Sequence, residues 1–292
     1  MTWVNTVIQG ILLGGLYALF ACGLSLLFGV MRIINLAHGD IAVLGAFLIW
    51  TVVHQTNVSA FLATLVVLPV ALVLGYALQL TLLQRSLRAG PLTPLLTTFG
   101  LAIVIQNLLL QAYSPDVKSL IGNTGSITTF SWRITDQVAI SGLGVLTLAL
   151  AVAVLGGLQL FLSRTPMGRE LRATAQDPDT AELVGVNAGA VYARATAIAV
   201  ALAFLAGGFM AVRSTFEPSS GPTQLIFAFE AVVIGGFGSL WGTLVGGIVL
   251  GVAQTIGAEI NPQYSVLAGH IVFLAVLALP RSGVFAGRLA RA

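Results

Sequence analysis

The sequence predicts an all-α polytopic membrane protein, a bundle of about eight to nine transmembrane segments. The chain of 292 residues is 57% hydrophobic and only 8% charged, with a mean hydropathy of +0.99. A soluble domain is about 25% charged because its surface faces water. The apolar residues also come in runs close to the roughly 20 that cross a bilayer. We therefore expect a single transmembrane domain over residues 1–292.

The apolar runs define the segments in order. They are 3–30, about 33–53, 60–83, 95–112, 138–162, 194–214, 224–238 with 241–257, and 264–280. The first is far longer than the apolar region of a signal peptide, so it is expected to stay as a helix. The run from 224 to 257 is too long for one crossing, and we split it at a glycine-rich break near 235–242.

Arginine-rich loops predict the orientation. Loops 84–94 and 163–193 and the C-terminal tail carry an excess of arginine. Because positive loops stay on the cytoplasmic side, we place all three in the cytoplasm and the N-terminus outside. The number of crossings then agrees only if 224–257 crosses twice. The alternative, one long tilted or re-entrant segment, would put the tail outside.

The stretch MRIINLAHGD, residues 31–40, carries polar groups between two apolar runs. Only about thirteen apolar residues follow Asp40, too few to cross a bilayer core of about 30 Å. The second segment must include this stretch, so Asn35, His38 and Asp40 lie at membrane depth. On an unbroken helix Asp40 would point away from the other two. A break near 35–40, at Gly39, or burial on both sides would avoid exposing it to lipid.

Two interpretations of this stretch stay open: a discontinuous helix that lines or gates a pathway, or a polar cluster that only ties helices together. The candidate pathway or gate residues at the two breaks are Asn35, His38, Gly39, Asp40, Gly235, Gly236 and Gly238.

The loop 163–193 contains the signals of a short helix over about 178–184. Asp177 and Pro178 are typical of an N-cap followed by the first helical position, and Gly185 is typical of a helix end. A helix of about 10 Å has little to stabilise it unless it docks into a partner. The alternative is an ordinary ordered loop. The docking segment is predicted to comprise Asp177, Pro178, Asp179, Ala181, Glu182, Val184 and Gly185, with Ala181 and Val184 available to fill an apolar groove.

Signals of enzymatic chemistry are absent from the sequence. There is no GxxxxGK[ST] phosphate loop, and Lys118 is the only lysine. The three histidines are far apart, so no metal site is predicted. Glu230 is expected to be a solvated residue near the outer interface and His270 a buried histidine with a partner. Tyr17, Gln106 and Asn107 are expected to join helices.

Four motifs together resemble the membrane-spanning permease of branched-chain amino acid ABC importers. They are NLAHGDIAVLGAF, RELRATAQDPDTAELVGVN, VVIGGFGSLWGTLVGGIVLG and the closing LAGH. The resemblance implies that Asp177–Gly185 is a coupling helix seated in an ATP-binding subunit. It also implies two ATP-binding subunits that hold ATP and Mg, a second permease or a second copy of this chain, and a periplasmic or extracellular binding protein. No cofactor on this chain and no nucleic acid are implied.

The expected function is the translocation subunit of an ATP-driven importer for branched-chain or other hydrophobic amino acids, in a bacterial inner membrane, working by alternating access. Related permeases carry amides, urea and sugars. An ion-coupled secondary transporter or a channel for a small polar or zwitterionic solute is the main alternative. A scaffold subunit that transports nothing is a third possibility.

Overall fold

A computed structural model of the chain describes residues 2–90, 92–122, 130–135 and 138–279. The helices are α1 (Thr2–Met31), α2 (His38–Thr56), α3 (Ala60–Leu78), α4 (Gln84–Ala89), α5 (Thr93–Tyr113), α6 (Gly142–Arg164), α7 (Pro166–Gln176), α8 (Pro178–Leu183), α9 (Ala188–Arg213), α10 (Gly221–Gly235), α11 (Leu240–Ile260) and α12 (Tyr264–Ala278). A small antiparallel hairpin of β1 (Ser131–Thr135) and β2 (Val138–Ser141) precedes α6. The tail arginines used for the orientation, 281, 288 and 291, lie outside the described residues.

The all-α membrane fold is confirmed. Among the described residues, seven helices are long and apolar enough to cross a bilayer, with Ala60–Ala89 counted as one because a π-helical stretch joins α3 to α4. Two further apolar helices, α10 and α12, have only 15 residues each. Both are shorter than the roughly 20 residues of a full crossing, so the number of eight to nine segments stays a prediction.

Helices α1 and α9 form the buried centre of the bundle. Helix α1 packs along α11 through facing glycines, and a Cβ on Gly14 or Gly247 would collide with the backbone of the other helix. The single cysteine, Cys22, is fully buried in α1. Small residues let helix backbones approach closely in lipid, where packing drives association. The outer helices α3, α5, α6 and α12 expose apolar side chains, which suits contact with lipid.

Both predicted breaks are present, although the first has different bounds. Helix α1 ends at Met31, and Arg32 adopts a left-handed φ of 54°. Residues 32–37 are not helical, and α2 begins only at His38. The break therefore lies before His38 and not at Gly39, and Asn35 belongs to the connection. The second break separates α10 from α11, where Gly236 and Gly238 have φ of 90° and 76°, values that favour glycine.

Candidate functional site

The connection 32–37 is held by polar contacts that replace helical hydrogen bonds. The Asn35 side chain accepts a hydrogen bond from the Ala37 amide at 3.0 Å, and its carbonyl accepts from the His38 amide at 3.1 Å. The Leu36 amide donates to the Thr98 hydroxyl of α5 at 3.1 Å. Backbone groups at membrane depth must be paired within the protein. Asn35 therefore builds the turn that lets α2 begin inside the bundle.

His38 anchors the start of α2 to the middle of α1. Its Nε2 lies 2.8 Å from the Phe20 carbonyl oxygen, to which the ring N–H donates, and the side chain is buried. Phe20 lies eleven residues before the end of α1 at Met31, which is about 17 Å at 1.5 Å per residue. The start of α2 therefore lies about halfway through a bilayer core of about 30 Å.

Asp40 connects α2 to two other helices. Its Oδ1 accepts a hydrogen bond from Gln106 Nε2 of α5 at 2.8 Å, and the side chain is buried. The same oxygen lies against Gly221, the first residue of α10, where a Cβ would overlap it. A Cβ at Gly39 would in turn overlap the Gly221 carbonyl oxygen. We call this contact, formed by residues 38–40, Gln106 and Gly221, the helix joint.

Helices α2 and α10 leave the helix joint in opposite directions. Helix α2 runs towards the C-terminal end of α5, where Thr51 and Tyr113 share a hydrogen bond of 2.7 Å. Helix α10 runs towards the C-terminal end of α1, where the Phe28 and Phe237 rings lie 4.2 Å apart. The chain therefore enters the bundle from one end through 32–37 and from the other end through 214–220. Two positive helix N-termini then lie side by side, and the Asp40 carboxyl is placed between them.

The predicted glycines of the second break lie elsewhere and pack within the α10–α11 hairpin. Gly235 and Gly242 face each other so closely that a Cβ on either would overlap the carbonyl oxygen of the other. Beyond them Gly238 approaches Gly29 of α1, whose Cβ would lie 3.5 Å from the Gly238 Cα. Gly236 begins the turn with its left-handed backbone. These positions allow close backbone contact at the end of the bundle that α7 and α8 also occupy.

Helix α8 has the caps that the sequence predicts. The Asp177 carboxylate accepts hydrogen bonds from the amides of Asp179 and Thr180, each at 3.1 Å, and from the Thr180 hydroxyl at 2.6 Å. The Thr180 hydroxyl, with its amide, holds the pKa of the exposed Asp177 carboxyl below its usual range. Gly185 ends the segment with a φ of 90°, and Asn187 caps α9 by accepting from the Ala190 amide at 3.0 Å.

The surface of α8 presents apolar side chains to solvent. Leu183 is 87% exposed and Val184 77% exposed, with the exposed acids Asp179 and Glu182 on the same short helix. Ala181 differs from the expectation. Its side chain is buried, so it cannot fill a partner's groove, and Leu183 offers an exposed apolar side chain instead. Exposed apolar groups beside charges are typical of an interaction surface.

The sequence does not predict the contact between Glu230 and His270. Glu230 is buried on α10 and bonds through its carboxylate to the His270 ring of α12. The expectation of a solvated Glu230 is wrong, because α10 begins nine residues earlier and carries the side chain inside. The expected partner for His270 is found, but the expected burial is wrong, because its side chain is 38% exposed. Tyr17 bonds to Gln254 of α11 and Gln106 bonds to Asp40, so both join helices. Asn107 instead donates to the Ile103 carbonyl of its own helix at 2.8 Å.

The described residues contain no group of three or more His, Cys, Asp or Glu side chains that could hold a metal ion. Asn35, His38, Gly39 and Asp40 come together at one place in mid-bundle. The α10–α11 glycines lie about one helix length away, and the α8 segment lies outside the bundle at that same end.

Comparisons with known proteins cover nearly the whole chain. Residues 6–277 match the sequence profile of the family described as branched-chain amino acid transport system / permease component. The chain is 29% identical to the high-affinity branched-chain amino acid transport system permease protein BraD of Pseudomonas aeruginosa, over 97% of this chain and 95% of that protein. Identity to the LivH permease protein of the same description from Escherichia coli K12 is 27%, with the same coverage.

A more distant similarity extends to sugar permeases. The fructose import permease protein FrcC of Rhizobium meliloti is 27% identical over 83% of this chain and 69% of that protein. No solved structure matches the chain.

Proposed function

The chain belongs to the family of branched-chain amino acid transport permease components, and we propose that it is the translocation subunit of an ATP-driven importer for branched-chain or other hydrophobic amino acids. Members of this family are transport subunits and not enzymes, and the helices show a multi-pass membrane protein. In this proposal ATP and Mg are bound by partner chains, and the protein lies in a bacterial inner membrane with its C-terminus in the cytoplasm.

The observation that carries the proposal is helix α8 at the end of the central helix α9. Its rigid caps hold a helix that projects Leu183 and Val184 to solvent. It is tied to the bundle by two features of α7, the buried Leu171 and the Glu170–Arg194 ion pair of 2.9 Å that reaches α9. A partner that pushes on α8 would therefore move α7 and α9 together. This arrangement supports a coupling helix seated in an ATP-binding subunit.

Alternating access would use the helix joint. Helix α9 packs against α2 along its length, with the Phe204 ring against Gly45 and Gly207 against the Ala42 carbonyl. A tilt of α9 would shift α2 against α10 at the place where their first turns meet. The gate interpretation of Asn35, His38, Gly39 and Asp40 follows from this contact, and the glycine turn of Gly235, Gly236 and Gly238 would serve as the pivot of α10 on α11.

Association with ATP-binding subunits is tested by co-purification. The tagged chain, extracted gently from its native membrane, should bring two ATP-binding subunits and a second permease, or a second copy of itself. The doubly reversed variant Asp179→Arg with Glu182→Arg should lose the ATP-binding subunits, since both acids lie on α8. Asp116→Arg, a reversal at the opposite end of the bundle, is the matched control and should keep them.

Absence of ATP-binding subunits from the purified material would favour a different class of transporter. A chain that purifies without them, and that drives uptake in proteoliposomes without ATP, would be a secondary transporter or a channel. Loss of the subunits in the Asp116→Arg control as well would show that charge reversal acts on assembly in general and not on α8.

Uptake by the complete importer tests the gate. His38→Ala and Asp40→Asn should each lower ATP-dependent leucine uptake at normal expression, because each removes a contact that fixes the start of α2. Thr56→Ala, at the exposed far end of the same helix and bonded only to the Val52 carbonyl of that helix, is the control. Full uptake by both joint variants would leave the helix joint with a packing role only.

A further inference from the structure

A cavity of about 470 Å³ with both aromatic and charged side chains in its lining opens at the C-terminal ends of α2 and α5. This end lies opposite α7 and α8, because α5 begins beside the connection 32–37 and ends at Tyr113. The volume falls within the range of about 300–1,000 Å³ that small-molecule sites occupy. The side chains that matter for its chemistry are Trp50, Thr51, His54, Tyr113, Asp116 and Lys118.

The aromatic wall of the cavity is held rigidly. The Trp50 ring stacks on His54 with centroids 4.4 Å apart and meets Tyr113 edge-on at 6.2 Å. Tyr113 is fixed from behind by the Phe47 ring at 4.6 Å and by its hydrogen bond with Thr51. Rings on well-ordered helices offer an apolar contact area at low entropic cost. A branched or aromatic side chain of modest size would fit against this wall.

The charged wall is positioned by the backbone. Lys118 exchanges two hydrogen bonds with Phe216, of 2.8 and 2.9 Å, and the Leu120 amide donates to the Ala211 carbonyl at 2.9 Å. These bonds clamp the segment after α5 onto the end of α9. The Lys118 ammonium therefore lies over the Trp50 ring, 5.3 Å from its centroid, and this cation–π contact holds it at the cavity.

Both charges needed for a zwitterion are present. Lys118 Nζ lies 3.6 Å from Asp116, and the side chains are 22% and 69% exposed, respectively. Because the Asp116 carboxylate lies mostly in solvent, water replaces its contact with Lys118 at little cost when a ligand carboxylate takes the ammonium. A ligand carboxylate would take the ammonium and a ligand ammonium would take the carboxylate, with the apolar side chain against Trp50 and Tyr113.

We propose that this cavity binds the transported solute, a zwitterionic amino acid with an apolar side chain, as the first site of contact on the permease. The inference rests on the proposed function and deepens it, because it assigns substrate recognition to the end of α2 whose other end forms the helix joint.

Photo-labelling of the complete importer in proteoliposomes tests the site. A leucine analogue that carries a diazirine should label the peptides 50–55 and 112–118, and excess leucine should remove the label more effectively than leucinamide, which lacks the carboxylate. Lys118→Met should lower labelling about tenfold, since a charge-assisted contact is lost. Lys118→Arg keeps the charge and should retain labelling, which guards against a misfolded variant.

A control variant and a separate uptake assay distinguish failure of this inference from failure of the proposed function. Trp50→Leu should lower labelling, whereas Trp241→Leu, at an exposed tryptophan of α11, should not. Label found elsewhere, or unchanged in Lys118→Met, overturns the inference. Lys118→Met with normal labelling but reduced uptake would assign the cavity to docking of the binding protein and would also overturn it. Leucine uptake by the unchanged importer is measured alongside, and its absence would reject the proposed function instead.

Discussion

Two aspartates near helix starts, Asp177 and Asp40, are used in opposite ways. Asp177 is an exposed N-cap that accepts three hydrogen bonds from its own segment. Asp40 is buried in the first turn of α2, whose N-cap is Ala37 with no side-chain cap. It bonds instead to Gln106 of α5 and lies against Gly221 of α10. The first aspartate stabilises one turn, and the second joins three helices.

The difference shows what burial does to the same side chain. In water a carboxylate that loses its partners is rehydrated, so a cap contributes a limited local effect. In the middle of a bundle there is no water to replace the partner, and an unpaired charge is costly. Changes at the helix joint should therefore affect the whole fold, and changes at Asp177 should affect α8 alone.

The largest effect is expected at Gly39. Gly39→Ala would force a methyl group onto the Gly221 carbonyl oxygen. The Cα that carries the methyl group and that oxygen both belong to backbone, which cannot move without separating α2 from α10. Overpacking of this kind should lower the free energy of unfolding by about 3 kcal/mol. Thermal unfolding of the purified chain in detergent measures it.

Gly100→Ala is the matched control for this change. Gly100 lies in α5, where an added Cβ would meet nothing within 4 Å, so alanine there should leave stability unchanged or raise it by up to about 1 kcal/mol. Equal stability of the Gly39 and Gly100 variants would mean that the two first turns are not in tight contact.

The next effect is expected at the partner of Asp40. Gln106→Leu removes the amide that donates to the buried carboxylate and should lower the free energy of unfolding by about 2 kcal/mol. Asp40→Leu alone should have a similar effect, since it leaves the Gln106 amide without a hydrogen-bond acceptor. The double variant should recover most of the loss, because both polar groups are gone. Additive losses in this double-mutant cycle would show that the two side chains do not interact.

A smaller and local effect is expected at Asp177. Asp177→Ala removes three hydrogen bonds from the start of α8 and should raise hydrogen exchange of the Asp179 and Thr180 amides, with no change in the unfolding midpoint of the bundle. Asp179→Asn, which leaves the cap intact, is the control. A fall in the midpoint as large as that of the Gly39 variant would remove the contrast between the two aspartates.

The smallest effect is the pH dependence of the same cap. The pKa of Asp177 is lowered in the folded chain by the Thr180 hydroxyl and amide, so its stabilisation is present above the unfolded value of about 3.9. It is lost as the pH falls through the lower folded pKa. A spin label at Leu183 should keep constant mobility from neutral pH to about 5 and gain mobility well below 4. Mobility that rises already between neutral pH and 5 would contradict this assignment.

Local signals allowed much of this to be predicted from the sequence. Composition and run length predicted the all-α membrane fold, and Asp177, Pro178 and Gly185 predicted α8, because caps depend on residues within a few positions. Span length also placed residues 35–40 at membrane depth. The break itself was predicted at Gly39, and the structure has it at 32–37.

Tertiary contacts explain what could not be predicted. The partner of Asp40 lies 66 residues away and that of Glu230 lies 40 residues away, so neither pairing leaves a trace in local spacing. Ala181 was expected on the surface because a short isolated helix gives no sign of which face turns inwards. The cavity at Trp50 and Lys118 also joins distant segments, and only the lone lysine could have drawn attention to it.

The Glu230–His270 pair has a consequence for how the protein is made. Glu230 enters the bundle on α10, but its partner on α12 is synthesised 40 residues later. At about 5–20 residues per second, the ribosome needs about 2–8 s to add that partner. During this interval the newly made hairpin of α10 and α11 carries an unpaired acid. We therefore expect α10 to reach its final packing only after α12 has been made, because α12 brings the His270 ring to Glu230.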